Sequence, residues 1–205
     1  MMRSLITAAV LATVVLTSTA RAATLQTAVF AGGCFWGVEA VFEHVKGVKS
    51  VVSGYVGGTV VNPDYETVTS GRTGHAEAVK VTFDPAVVSY ETLLAVFFTV
   101  AHNPTELNRQ GPDVGTQYRS AIFFANAEQQ KSATTVIAQL TQAKAFPRPI
   151  VTQVASLSKF YDAETYHQNY LYSHTDQPYI VYNDLPKIDA LKKQYPALWE
   201  KTQGK

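Results

Sequence analysis

The single cysteine of the chain lies in a segment whose residue types suit nucleophilic chemistry. Residues 32–37 read GGCFWG, and apolar residues with helical spacing follow at Val38, Val41, Phe42 and Val45. A glycine pair permits a tight turn into that helix, and the unpaired N–H groups of a first helical turn favour an anion. We therefore expect the Cys34 thiol to have a lowered pKa and to act as a nucleophile, with Phe35 and Trp36 walling an apolar pocket. The alternative is a cysteine that only packs in a strand–helix corner.

A carboxyl group stands on the apolar side of a later strand. Glu77 shares its face with Val79, Val81 and Phe83. A carboxylate there costs free energy unless it is paired or neutral, and burial raises its pKa. Glu77 is therefore a candidate proton donor near neutral pH. On spacing alone, a strand-end residue whose carboxylate reaches the solvent is an equal alternative.

A polar, glycine-bearing segment, residues 108–119, joins two apolar elements. It is longer than most connections, which is typical of functional loops. Asp113 and Tyr118 lie within it, although alone they could equally be a turn residue and a strand-edge aromatic. The five histidines show no metal-ligand grouping, so we expect no bound metal.

Composition excludes several classes of protein. Hydrophobic residues make up 46% and charged residues 16% of the 205 residues, which excludes a disordered chain. Seventeen basic and 16 acidic residues leave a net charge of +1, so no basic surplus drives nucleic-acid binding. One cysteine excludes an intramolecular disulfide framework. We expect neither a nucleic-acid partner nor a cofactor.

The first residues have the pattern of an export signal. A basic residue near the start precedes an uncharged, mostly apolar run, Ser4–Leu16, that is too short to span a bilayer. Residues 20–22, Ala-Arg-Ala, supply the small–x–small pattern of a signal-peptidase site. We predict a signal peptide over residues 1–22, one catalytic domain over 23–205, export to the periplasm and no stable membrane span. An uncleaved N-terminal anchor is the alternative.

Strands and helices interleave without strict alternation, which favours an α+β layer structure with a mixed sheet. Strands are expected at Ala28–Phe30, Val48–Val56, Glu77–Phe83, Ser120–Phe124 and Ile150–Leu157. Helices are expected after Cys34 and at Ser89–Val100, 127–145 and Ala163–Tyr172. From Asp176 onward three prolines predict coil, with one helical piece near Ile188–Gln194.

Four motifs, in order and at matching spacing, resemble those of the A-type peptide methionine sulfoxide reductases. They are GCFWG at 33–37, GRTGHAEAV at 71–79, GTQYRS at 115–120 and YHQ at 166–168. The resemblance spans about Ala28 to Leu171, nearly the whole of the expected mature chain. The resemblance implies that Cys34 is the nucleophile and that Glu77 protonates the sulfoxide oxygen. It implies that Tyr65 and Tyr118 hold that oxygen through their hydroxyl groups.

The resemblance also implies that Asp113 supports the site and that Phe35 and Trp36 receive the substrate methyl group. The expected fold is an α+β two-layer sandwich with a mixed sheet, a ferredoxin-like core and a long coil-rich C-terminal tail. A thiolate on sulfur and a proton on oxygen reduce a sulfoxide, so the products are methionine and a Cys34 sulfenic acid. The family resemblance adds the preference for the S epimer, whether the methionine sulfoxide is free or in a protein.

The chain departs from many members of the family because it has no second cysteine to resolve the sulfenic acid. We expect a monomer that uses an external thiol: a small molecule, or a glutaredoxin-like or thioredoxin-like protein. Two other functions stay open. A cysteine hydrolase or acyltransferase would use Cys34 with His75 or His102 and Asp113. A binding module would present Phe35, Trp36 and the tyrosines to an apolar ligand.

Overall fold

The structure, a computed structural model, describes residues 24–202. The expected signal peptide lies outside these residues. The strands are β1 (Gln26–Gly32), β2 (Val48–Val56), β3 (Ala76–Phe83), β4 (Arg109–Gln110), β5 (Asp113–Val114), β6 (Ser120–Phe124), β7 (Gln153–Ser156) and β8 (Tyr161–Asp162). The helices are α1 (Phe35–Glu43), α2 (Tyr65–Thr69), α3 (Tyr90–Val96), α4 (Ala127–Gln142), α5 (Tyr170–Ser173) and α6 (Leu185–Gln194).

A six-stranded sheet in the order β7-β6-β1-β3-β2-β8 organises the fold. β6 and β7 run parallel, whereas the other neighbouring pairs are antiparallel, so the sheet is mixed. The central strands β6-β1-β3-β2, with α1 between β1 and β2 and α3 between β3 and β6, form the split βαβ arrangement of ferredoxin-like folds. The expected α+β fold with a mixed sheet and a ferredoxin-like core is confirmed.

The main core lies between one face of this sheet and the helices. Phe30, Val79 and Val81 point from the sheet into this core, and side chains of α1, α3 and α6 pack on them. The opposite face carries smaller residues such as Ala76 and Ala78. The alternation of β3 therefore separates its two faces as the sequence predicts, because successive side chains of a strand point in opposite directions.

The region after residue 160 differs from the sequence expectation in two places. The helix expected at Ala163–Tyr172 is a 3-10 turn, Thr165–His167, followed by α5, and the two are divided at Asn169, which has a left-handed φ of +57°. The helical piece expected near Ile188–Gln194 is confirmed as α6, but the helical segment begins earlier than expected, because a π-helical turn, Ile180–Asp184, continues into α6. Pro186 lies in the first turn of α6, where its fixed φ suits the helix.

Residues 198–200 return to the far end of α1. Val45 and Trp199 form an isolated antiparallel bridge, and the Trp199 indole stacks on the His44 ring at 4.2 Å. The N–H of Glu200 donates to the carbonyl of His44 at 2.8 Å. The helix that begins at the cysteine is therefore fixed at its other end by a distant part of the chain.

Candidate active site

The turn before α1 requires glycine. Gly33 has a φ of +94°, and a Cβ atom there would lie 2.6 Å from the side chain of Gln110. That approach lets β4 pack directly against the turn. Cys34 follows as the N-cap residue of α1, which confirms the predicted position at the start of a helix. Its side chain is buried, with 8% of the residue exposed.

Glu77 takes the place at the helix start that the cysteine side chain leaves open. Its Oε2 accepts a hydrogen bond from the backbone N–H of Phe35 at 3.1 Å, whereas Cys34 makes no side-chain capping bond. β3 and β1 are antiparallel and pair Val79 with Phe30. Two residues further along, the same register places Glu77 opposite Gly32, next to the turn that leads to Cys34. Glu77 is 1% exposed, so the buried alternative is the correct one.

Burial controls the protonation of both groups, in one case against our expectation. Burial raises the pKa of Glu77 to about 8, since the Phe35 N–H offsets the effect only in part, and Asp113 adds to the rise. Burial also raises the pKa of the Cys34 thiol well above its usual value, and the carboxyls of Glu77 and Asp184 raise it further. The lowered thiol pKa predicted from the helix start is therefore wrong, because the backbone N–H of Trp36 is outweighed.

Two tyrosines approach the pair from different elements. Tyr65 is the first residue of α2, and Tyr118 ends a 3-10 turn, Thr116–Tyr118, just before β6. Burial raises the pKa of both hydroxyls, and the nearby carboxyl of Glu77 raises it further. Both hydroxyls also lie within electrostatic range of Cys34 and Asp113. They remain protonated donors, which is what an oxygen-binding role requires.

Asp113 is held from the C-terminal part of the chain. It belongs to β5 of the β4–β5 hairpin, and the hydroxyl of Tyr179 donates a hydrogen bond to its Oδ2. Burial raises the pKa of Asp113, although the Tyr179 hydroxyl and the Lys187 ammonium act in the opposite direction. Lys187 also pairs with the fully buried Asp184 at 3.0 Å, and Asp184 packs against Gly37 of α1.

The two aromatic residues after the cysteine lie at different depths. Phe35 is 1% exposed, whereas Trp36 is partly exposed and stacks on Tyr170 with ring centres 3.8 Å apart. The indole N–H of Trp36 donates to Nδ1 of His167 at 3.1 Å. The structure therefore brings together the cysteine, the buried acid, two hydroxyl donors and an aromatic wall, which is a set that can reduce a polarised S–O bond.

Comparison with known proteins identifies the family. The family model described as peptide methionine sulfoxide reductase matches residues 26–199. The chain belongs to this family. It is an oxidoreductase, a peptide-methionine (S)-S-oxide reductase.

Relatives and solved structures agree with this assignment. Peptide methionine sulfoxide reductase MsrA 2 of Mesorhizobium japonicum is 58% identical over 174 residues, which cover 85% of this chain and 89% of that protein. MsrA of Deinococcus radiodurans is 54% identical, covering 83% of this chain and 82% of its own. Reduced Mxr1 of Saccharomyces cerevisiae has a TM-score of 0.69 and 31% identity, covering 74% of this chain and 87% of its own.

The histidines considered for a hydrolase have their ring nitrogens engaged with groups other than the cysteine of this reductase. His75 uses Nδ1 to accept the N–H of Gly58 and Nε2 to bond the carbonyl of Val60. His102 bonds the carbonyl of Phe97 and the hydroxyl of Ser120, and burial lowers its pKa to about 4. With both ring nitrogens of each histidine engaged, neither ring offers a base to a thiol.

Several residues around the site of this reductase received no role from the sequence. His167 lies inside the fourth motif, so its position in that motif is the signal that could have marked it. Tyr179 and Glu164 carry no local signal, because their partners Asp113 and Tyr65 are 66 and 99 residues away along the chain. The fold alone brings these pairs together.

Residues 24–202 contain neither a metal-binding cluster nor a membrane-spanning helix. No group of three or more His, Cys, Asp or Glu side chains there is arranged to hold a metal ion. Over the same residues, no helix combines the length and the apolar character needed to cross a membrane.

Proposed function

We propose that this reductase acts through a Cys34 sulfenic acid, with Glu77 as the acid and a separate thiol as the reductant. The observation that carries the proposal is the buried Glu77 carboxyl, which accepts the N–H that follows Cys34 and whose pKa burial raises to about 8. A sulfoxide oxygen leaves only when it is protonated, and a neutral carboxylic acid beside the nucleophile supplies that proton.

In the first step, the Cys34 sulfur attacks the sulfur of methionine S-sulfoxide while Glu77 gives its proton to the oxygen. The hydroxyl groups of Tyr65 and Tyr118 donate hydrogen bonds to that oxygen as its negative charge grows. The substrate methyl group lies against Phe35 and Trp36, which present apolar surface. Asp113 supports the site.

The raised pKa of the Cys34 thiol is compatible with this step because the protons balance. The thiol carries its proton into the complex, and Glu77, once it has protonated the oxygen, is the base that receives the thiol proton. The sulfoxide oxygen then passes to Cys34, so methionine leaves, the cysteine becomes a sulfenic acid and Glu77 is again protonated. Two electrons move from Cys34 to the substrate sulfur.

The sulfenic acid returns to a thiol by reaction with an external thiol. One thiol displaces water to form a mixed disulfide, and a second thiol releases Cys34 and leaves as a disulfide. No second cysteine exists in the chain to take the first role. A small thiol or a glutaredoxin-like or thioredoxin-like protein has this chemistry, and the yeast protein Mxr1 is known in complex with Trx2.

The proposed setting is the periplasm, where the enzyme repairs exported proteins oxidised at methionine. The signal-peptide pattern of residues 1–22 supports this location. N-terminal sequencing of the exported protein is expected to begin after Ala22, and a chain that keeps Met1 would contradict export with cleavage. The monomeric state stays a prediction, which sedimentation equilibrium would check.

A single-turnover assay tests the chemistry. Reduced protein, freed of reductant, is mixed with excess S or R epimer of a methionine sulfoxide peptide, and methionine and intact protein mass are followed. We expect one methionine per protein and a gain of one oxygen atom in mass, only with the S epimer and not in Cys34→Ser. Methionine formed without the added oxygen would contradict the sulfenic intermediate.

Recycling is tested separately with a series of thiol donors. A donor that sustains turnover is expected to be trapped on Cys34 as a mixed disulfide when a donor variant lacking its second thiol is used. The external-thiol scheme would be refuted if no thiol donor, small or protein, restored Cys34 from the oxidised form.

A further inference from the structure

We propose that Glu164 is a positioning residue that holds Tyr65 in place to bind the sulfoxide oxygen. This inference rests on the role given to Tyr65 in the proposed function. The two carboxylate oxygens of Glu164 have different partners: Oε1 accepts the backbone N–H of Tyr65 at 2.9 Å, and Oε2 accepts the hydroxyl of Tyr55 at 2.8 Å. Tyr55 is fully buried and lies opposite Glu77 in the β2–β3 register.

Helix α2 needs such an external attachment. It has five residues, and a helix of that length does not hold its own shape in water. The N–H of its first residue has no partner within the helix. Asp64, the N-cap residue, bonds the N–H of Thr67 instead, so Glu164 is the group that fixes Tyr65 itself.

The ring of Tyr65 rests on the same segment as its backbone. Its centre lies 4.3 Å from that of the His167 ring, and the N–H of His167 donates to the carbonyl of Glu164 at 2.9 Å. Gln168 ties this segment to β2, because its side chain bonds both the N–H and the carbonyl of Ser53 at 3.0 Å. The turn that starts at Glu164 is therefore a rigid support for Tyr65.

The charge of Glu164 suits this role. Burial alone would raise its pKa, but hydrogen bonds from the Tyr65 N–H, its own N–H and the Tyr55 hydroxyl lower the pKa. The side chain is therefore an anion at neutral pH, and hydrogen bonds to an ionised acceptor are stronger than those between neutral groups. Removing it frees the start of α2 and lets the Tyr65 hydroxyl move away from the oxygen.

A double-mutant cycle between Glu164 and Tyr65 tests the proposal. Glu164→Ala is expected to lower kcat by about tenfold with a smaller change in KM, because misplacing a transition-state contact is costly. In a Tyr65→Phe background, which already lacks the hydroxyl, the same substitution is expected to lower kcat by less than about twofold. Glu164→Gln, which keeps one acceptor oxygen, is expected to recover part of the loss.

The matched control is Glu66→Ala, which removes an exposed carboxylate next to Tyr65 and is expected to leave kcat unchanged. If Glu164→Ala does not fold, as judged by thermal unfolding, Tyr55→Phe replaces it, since it removes one of the two hydrogen bonds. The loss of kcat in Tyr55→Phe is expected to be smaller than in Glu164→Ala, and it is also expected to vanish in the Tyr65→Phe background.

Two results would overturn the inference in distinguishable ways. Equal loss from Glu164→Ala with and without the Tyr65 hydroxyl would mean that Glu164 acts through general stability and not through Tyr65. A Tyr65→Phe variant with full kcat would instead contradict the oxygen-binding role of Tyr65 in the proposed function, and this inference would fall with it.

Discussion

Two corners of the molecule are built alike and differ in charge. At the β1–α1 corner Glu77 accepts the first N–H of the helix that follows Cys34, and at the β2–α2 corner Glu164 accepts the first N–H of the helix that begins with Tyr65. Burial raises the pKa of Glu77 to about 8, whereas hydrogen bonds lower the pKa of Glu164 despite its partial burial.

The difference follows from the number of donors around each carboxyl. Glu77 is 1% exposed, receives one hydrogen bond and lies near Asp113, so its anion is poorly stabilised. Glu164 is more exposed and its oxygens receive both a backbone N–H and the Tyr55 hydroxyl. Placement at a helix start therefore does not decide whether a carboxyl serves as an acid or as an anchor; solvation and donor count do.

The largest expected effect separates the two corners by activity. Glu77→Gln keeps an acceptor for the Phe35 N–H but cannot deliver a proton, so kcat is expected to fall by about a hundredfold to a thousandfold. Glu164→Gln is expected to lose at most a few fold. Single-turnover rates with the S epimer give both values, and comparable losses at the two positions would erase the distinction.

Stability is expected to change with pH in opposite directions. The pKa of Glu77 is raised from 4.5 to about 8 in the folded protein. Its contribution to stability is therefore fully present below about pH 4.5, where the carboxyl is neutral in both states, and it is lost as pH rises through about 8. Near pH 9, Glu77→Gln is therefore expected to be more stable than the parent by roughly 3 to 5 kcal/mol, with little difference near pH 4.

The folded pKa of Glu164 is lowered, so its contribution is present above its unfolded pKa and is lost as pH falls through the folded value. Near neutral pH, Glu164→Gln is expected to lose about 1 kcal/mol of stability, because a neutral acceptor replaces a charged one in its hydrogen bonds. Urea unfolding at several pH values measures both variants. Curves that run parallel to the parent at every pH would contradict the assignment of charge.

The pH dependence of kcat/KM sharpens the same comparison. The proposed step needs a protonated Glu77 and a thiol, so activity is expected to fall as pH rises through about 8, tenfold for each further unit. Glu164 adds no change near neutral pH because its pKa is lowered. An activity that rises through this range would instead mean that forming the thiolate limits the rate.

The smallest expected effect is the coupling between Glu164 and the second tyrosine. Tyr118→Phe is expected to lower kcat by about tenfold, like Tyr65→Phe, because each removes one donor to the oxygen. Tyr118 lies on the loop before β6 and has no bond to Glu164 among the described contacts. The fold-losses in kcat from Glu164→Ala and Tyr118→Phe are therefore expected to multiply in the double variant, to within about twofold. Strong coupling between these two would show that Glu164 acts on the whole site.

Local patterns in the sequence predict those parts of the fold and site that depend on near neighbours. The alternation of β3 places Glu77 on the apolar face but leaves a solvent-exposed strand end as an equal alternative, which the structure excludes. Helical spacing is enough to put Cys34 at a helix start. The direction of the thiol pKa could not be read in the same way. It depends on the burial of the sulfur and on the carboxyls of Glu77 and Asp184, one of which comes from the other end of the chain.

The C-terminal part was harder to predict because its contacts are long-range. Trp36 and His167 are 131 residues apart, and nothing near either residue indicates their hydrogen bond. The prolines of this region predict coil, yet Pro186 lies in the first turn of α6, which tolerates proline. The helical segment from Ile180 to Gln194 is instead fixed by its buried side chains, such as Ile180 and Leu191.

The return of residues 198–200 to the end of α1 sets an order on folding during synthesis. The carbonyl of Glu200 bonds the ring of His44, a residue 156 positions earlier, so the helix that begins at Cys34 receives its last contacts only when almost the whole chain has emerged. A contact of such high sequence separation forms late. A chain shortened before residue 198 would therefore keep the Cys34 thiol but lack the last contacts of the helix that begins beside it.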